Sequence, residues 1–143
     1  EIGKAVSVHS GSDITIITYG LGVHWAIEEM STRKDVSAEI IDLRTLAPMD
    51  VDAIYAAVKK TGKVIVLHED CLVGGIGGEI SALINEHCFE SLDAPVMRVA
   101  SLNSPVPFAQ NIEKIFLPKT RLQKAVDRLL TSGRSCCEVP ASR

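Results

Sequence analysis

Val64-Ile65-Val66-Leu67-His68-Glu69-Asp70-Cys71-Leu72-Val73-Gly74-Gly75-Ile76-Gly77-Gly78-Glu79-Ile80 decides the fold. An apolar run, Val64–Leu67, meets His68-Glu69-Asp70, and four glycines follow within five residues. An apolar periodic segment, Glu79–Cys88, comes next. That order predicts a buried strand, a tight turn and a helix. In open parallel α/β sheets, ligands and partners gather at the carboxyl ends of strands, and the polar residues here sit at such an end.

The same alternation repeats outward. Ala5–His9 predicts an edge strand and Ile14–Tyr19, β-branched and apolar, a central one. Leu21–Met30 has helical spacing, and Ser37–Leu43 predicts a second parallel strand. Asp50 is placed to cap a helix over 51–60, and Gly62 to close it in a left-handed conformation. Pro95–Ala100 predicts the last strand. Ser101–Phe108 holds Pro105 and Pro107 and is irregular. Ile112–Leu117 predicts a helical turn and Lys119–Leu130 a terminal amphipathic helix. These elements imply a three-layer α/β/α sandwich over residues 1–130, with 131–143 a disordered tail. Aromatics are only 4% of the chain, so the core must be aliphatic, which suits a sheet covered on both faces.

Composition narrows the function. A net charge of -3 argues against a nucleic-acid binder, and no apolar run approaches the ~20 residues of a membrane span. Glu1–Gly11 does not read as a signal peptide. Cys71, Cys88, Cys136 and Cys137 lack metal-ligand spacing, which implies reduced thiols in an intracellular protein.

Each candidate site also has a plainer reading. Gly74-Gly75-Ile76-Gly77-Gly78 could bind an anion through backbone N–H groups. It matches neither the dinucleotide fingerprint nor the P-loop, so a structural turn is the simpler expectation. His68-Glu69-Asp70 could do acid–base work, but no nucleophile or orienting group accompanies it, and a satisfied polar cluster at the sheet rim is expected. His24, beside Trp25, reads as partly buried. His87 and Cys88 alone make no metal site. Arg44, in the apolar loop Leu43–Met49, either pairs with Asp42 or Asp50 or serves an interface. That loop and the neighbouring helices are expected to form an exposed apolar patch.

Several ordered motifs carry a resemblance. They are 41–50 (IDLRTLAPMD), Thr61-Gly62-Lys63, His68-Glu69, the run Gly74–Ile80, Leu92-Asp93-Ala94-Pro95 and Pro105-Val106-Pro107. From about Gly3 to Leu130 the chain resembles the C-terminal domain of the β subunit of thiamine-diphosphate-dependent 2-oxo acid dehydrogenases, a transketolase C-terminal-like fold. His68-Glu69 and Glu86–Phe89 look more like branched-chain enzymes than pyruvate ones. The resemblance implies a five-stranded mixed sheet whose first strand, here Lys4–Ser10, lies antiparallel at the edge beside Ser37–Leu43. It implies a parent enzyme, α2β2 or fused, that decarboxylates a 2-oxo acid and passes the acyl group to a lipoyl acyltransferase. Thiamine diphosphate and Mg would be held elsewhere in that parent. No catalytic, cofactor-binding or metal-binding residue is then expected here, and the domain alone should be inactive. The implied partners are the α subunit, a second β subunit and the basic subunit-binding domain of the acyltransferase, with no nucleic acid or membrane. Asp93 matches the family's docking acid, and Glu90 reinforces it. The family's terminal carboxylate has no clear counterpart, because 131–143 runs past the expected end. His68, Glu69, Gly77, Gly78 and Arg44 remain crevice or interface candidates. The implied location is bacterial cytoplasm or mitochondrial matrix. Two alternatives stay open: a stand-alone α/β module binding a nucleotide or small anion in the crevice, and the equivalent domain of a transketolase-like enzyme.

Overall fold

In a computed structural model, residues 1–131 are described. The strands are β1 (Val6–His9), β2 (Ile14–Thr18), β3 (Ala38–Asp42), β4 (Val64–Cys71) and β5 (Met97–Ser101). The helices are α1 (Leu21–Thr32), α2 (Val51–Thr61), α3 (Gly77–Cys88), α4 (Gln110–Phe116) and α5 (Lys119–Thr131). One sheet runs β1-β3-β2-β4-β5, with β1 antiparallel to β3 and the other pairs parallel. This is the five-stranded mixed sheet with one antiparallel edge that the motifs implied.

Alternate side chains of each central strand feed separate cores, as the period of two requires. Ile14, Ile16, Ile40, Ile65 and Leu67 pack with Trp25 and Met30 of α1 and with Leu122, Val126 and Leu129 of α5. Ile17, Ile41, Val64 and Val66 pack with Ile54 and Val58 of α2 and with Ile80 and Ile84 of α3. Both faces of the sheet are therefore covered, and the strands read as unbroken apolar runs. Asp50 accepts the Ala53 N–H at 3.3 Å, and Gly62 closes α2 at φ 68°.

Most boundaries shift by one or two residues, and three of the differences bear on the site and the tail. β4 runs past Leu67 to Cys71, its register with β5 shifting between those residues, so the polar cluster belongs to an irregular strand end rather than a turn. α3 starts at Gly77, two residues before Glu79, because the second pair of glycines already has helical geometry. α5 includes Thr131, and the rest of the expected tail, with Cys136 and Cys137, lies outside the described residues.

The chain leaves β2 for β3 on one side and returns through α2 to β4 on the other. That reversal puts the topological switch point between the carboxyl ends of β2 and β4.

A buried polar centre ties the edge strand to the sheet. Glu39 of β3 accepts from Ser7 Oγ (2.6 Å), Ser10 Oγ (3.3 Å), the Gly11 N–H (3.1 Å) and Lys60 Nζ (2.6 Å). Burial works to raise its pKa, but Lys60, Ser7 and Gly11 outweigh it and hold the carboxyl at about 2. A depressed carboxyl stabilises the fold fully above its unfolded value of 4.5. That stabilisation is lost as pH falls toward about 2, since the unfolded chain takes the proton first. Between pH 6 and pH 3 the wild type should lose about 2 kcal/mol more than Glu39→Gln in urea titrations. Parallel losses in the two proteins would remove Glu39 as the cause.

Candidate functional site

His68 and Tyr19 meet at the switch point. Their rings stack with centroids 6.5 Å apart and planes 8° apart. His68 is 0% exposed, and neither ring nitrogen has a hydrogen-bond partner among the described residues. Thr18 Oγ1, one residue before Tyr19, is equally buried and unpartnered. The expectation of a satisfied rim cluster is corrected here. His68 lies inside, and only Glu69 and Asp70 reach solvent.

The glycine turn explains the burial. A Cβ on Gly77 would come within 3.0 Å of His68 Nε2 and Cδ2, and one on Gly75 within 2.8 Å of Cε1. The imidazole thus fills a slot that only glycine backbone leaves open. Burial lowers the His68 pKa, Asp70 raises it and Arg98 lowers it. The net shift is downward, so the ring is neutral near pH 7. Burial raises the Tyr19 pKa, with Asp70 and Glu69 adding to the shift. Two of the turn's amides are used internally: Gly78 N donates to Gly75 O at 3.1 Å and Ile80 N to Ile76 O at 3.0 Å. The role of the turn that the geometry shows is the close approach of Gly75 and Gly77 to His68. A base needs a nucleophile within hydrogen-bond reach and a group to orient it, and His68 has neither among the described residues.

Arg44 is exposed, with φ 59°. Its backbone N donates to Asp42 Oδ1 at 3.1 Å. Its guanidinium forms no ion pair with Asp42 or with Asp50, whose carboxylate is taken by the amides of Ala5 (3.0 Å) and Ala53 and, at 3.9 Å, by Lys4 Nζ. The apolar patch expected around Leu43–Met49 is also corrected. Leu43 is fully buried, and Leu46 and Met49 pack against the second core. The partly buried position expected for His24 is corrected too: it is exposed while Trp25 is buried, because adjacent helix residues point about 100° apart.

Two surfaces stand out. After α3 the chain makes a 3-10 turn, Phe89–Ser91, leaving Phe89 71% exposed. Glu90 and Asp93 are exposed beside it, and the Asp93 N–H donates to Gly62 O at 2.8 Å. An open cavity of about 530 Å³, lined by Ser81, Asn85, Phe89, Asp93 and Pro95, lies alongside. Asp93 shares that cavity with Phe89, whereas Glu90 lines a neighbouring one with Lys59, Glu86 and His87. The second surface was not anticipated: Val106, Phe108, Ile112 and Ile115 are all more than half exposed. Apolar residues at 106, 108, 112 and 115 with only Phe116 turned inward were the available signal. Four exposed apolar side chains within ten residues make this segment a candidate interaction surface.

Helices on both faces of a β1-β3-β2-β4-β5 sheet with one antiparallel edge strand define the class of domain. The chain belongs to the transketolase C-terminal domain family, whose pattern matches residues 3–121. Over 119 residues it is 46% identical to the 2-oxoisovalerate dehydrogenase subunit beta of Bacillus subtilis (strain 168), covering 81% of this chain and 36% of that one. It is 44% identical over 120 residues to the pyruvate dehydrogenase E1 component subunit beta of the same organism, covering 82% and 37%. A solved split-gene transketolase, an inactive beta4 tetramer, has the same fold, with a TM-score of 0.77 at 24% identity, covering 94% of this chain and 43% of that one. The chain spans about a third of the length of these curated relatives.

Proposed function

We propose that this chain is the C-terminal assembly and docking domain of the β subunit of a 2-oxo acid dehydrogenase's decarboxylating component. The parent would decarboxylate a 2-oxo acid oxidatively and pass the acyl group to lipoyl groups, and the domain alone would be inactive. The observation that carries this reading is the 46% identity across 119 residues to a 2-oxoisovalerate dehydrogenase β subunit. A branched-chain substrate is slightly favoured on the same ground.

Thiamine diphosphate and Mg do not fit the residues present. Mg requires converging oxygen ligands, and among the described residues no group of three His, Cys, Asp or Glu converges on one point. In the proposed parent the cofactor would belong to its other parts. The Val106–Ile115 surface would be covered by the α subunit or a second β subunit. Glu90, Asp93 and Phe89 would receive the basic subunit-binding domain of a lipoyl acyltransferase, with acidic charge steering a basic partner. His68, Gly77 and Gly78 would shape the carboxyl edge without touching substrate, and Glu69 and Arg44 would lie at a subunit boundary. Among the described residues no helix is long and apolar enough to cross a membrane. Bacterial cytoplasm or mitochondrial matrix is the location consistent with such a complex.

Asp93→Lys should weaken capture of a subunit-binding domain at least tenfold in titration calorimetry, about 1.4 kcal/mol. Its side chain is exposed, so the unfolding midpoint should not move. Wild-type affinity in this variant would remove the docking role.

A further inference from the structure

We propose that the apolar face of α4 and the acidic cavity behind it form one docking surface, which receives an arginine set among apolar side chains on a partner protein. Ile112 and Ile115 lie three residues apart and share the outer side of α4, next to exposed Val106 and Phe108. Glu113 and Phe116 repeat that spacing one residue on, and with Val106 they wall a cavity of about 320 Å³. Its other walls include Tyr19, just past β2, and Glu69 and Asp70 near the end of β4. The cavity therefore opens at the switch point, and Val106 belongs both to it and to the apolar face.

Charge selects the occupant. Glu69, Asp70 and Glu113 line the cavity, and among the described residues no Lys, Arg or His does. None of the three carboxylates forms an ion pair among the described residues. Asp70 Oδ1 accepts the neighbouring Cys71 N–H at 2.7 Å, which leaves its charge in place. Burial raises the Tyr19 pKa, and Asp70 and then Glu69 raise it further, so their negative field reaches the cavity wall. A phosphate-bearing ligand would be repelled there, and a two-fold contact with a second copy of this face would set acid against acid. The walls decide which cation fits. Tyr19 and Phe116 make them partly aromatic, and carboxylates from two elements suit the five-donor fork of a guanidinium better than a compact ammonium. An arginine ringed by apolar contacts that exclude water is also the usual anatomy of an interface anchor. This inference rests on the assembly role proposed above and names the chemistry of the chain that covers 106–115.

The test titrates the isotope-labelled 143-residue chain with the peptide acetyl-Ser-Leu-Arg-Leu-Ser-amide and follows amide chemical shifts. Saturable shifts are expected at Tyr19, Asp70, Val106 and Glu113. Citrulline in place of the peptide's arginine keeps the shape without the charge, and should weaken binding at least about tenfold. So should Glu69→Gln/Glu113→Gln and Ile112→Ser/Ile115→Ser, whose spectra also report that the fold is kept. Equal binding of the citrulline peptide, or by the carboxamide variant, would overturn the arginine anchor. Equal binding by the serine variant would overturn the apolar ring. No shift at those four amides with millimolar peptide, or shifts centred on Glu90 and Asp93 instead, would overturn the proposal altogether. A dimer in sedimentation velocity that the serine variant dissolves would make a second copy the occupant and overturn the partner's arginine. None of these results bears on the Asp93 titration above, so loss of the anchor is distinguishable from loss of the assembly role.

Discussion

Gly11→Ala should destabilise the domain by about 3 kcal/mol or more, toward the upper end for an overpacked site, and lower the thermal midpoint by roughly 10 °C. Gly11 is buried beside the start of β3. A Cβ there would lie 2.5 Å from both the amide nitrogen and the carbonyl oxygen of Ala38. These are backbone atoms of a strand paired on both sides, Ala38 opposite Ile14, so they cannot rotate away as a flexible side chain would. The Gly11 N–H also donates to Glu39, and a shift that relieved the clash would open that polar centre. Gly20 makes the contrast: its φ is 58°, but nothing lies within 4 Å of an added Cβ. With ψ at -130° this is a backbone region that L-residues rarely enter, so Gly20→Ala should cost about 1–3 kcal/mol from backbone strain alone. Urea denaturation followed by circular dichroism separates the two. Equal losses would mean that backbone conformation, not the approach of Ala38, fixes Gly11.

The sheet was legible because its strands are buried on both faces. Ile14–Thr18 and Val64–Leu67 needed only their apolar runs, and Asp50 and Gly62 marked the ends of α2 through local chemistry that tertiary contacts do not override. The interior position of His68 was not legible. A histidine followed by two acids reads as rim polarity, and its slot exists only because Gly75 and Gly77 approach from the following turn. Exposure of apolar residues was equally hidden. Leu46 and Met49 pack, half-buried, against the second core while Phe108 and Ile112 are exposed, though all four are apolar. Which loop the helices cover depends on chain path, and periodicity does not encode it. The candidate surface at Asp93 therefore followed from the resemblance, and the one at 106–115 became visible only in the fold.

Gly77→Ala and Gly78→Ala, neighbours at the start of α3, should act in opposite directions. Alanine is favoured over glycine inside a helix by about 1 kcal/mol. At Gly78 the added Cβ would meet only Arg98 Nη1 at 3.7 Å, an ordinary contact, so this variant should gain up to about 1 kcal/mol. At Gly77 the same methyl would press on the His68 ring, 2.6 Å from Cδ2. That ring is fully buried, faces Tyr19 and has no hydrogen bond to guide it elsewhere. Overpacking of about 2–3 kcal/mol should then outweigh the helical preference. A double-mutant cycle identifies the cause. His68→Ala alone leaves a cavity, and the methyl of Gly77→Ala should partly fill it. The double variant should therefore be more stable than the sum of the single losses by at least about 1 kcal/mol. Additive losses would show that His68 is not what requires glycine at 77, and the packed switch point would lose its physical basis. A favourable coupling ties the glycine turn to the histidine as one packing unit and accounts for a neutral, unpartnered imidazole where an active site would need a solvated one.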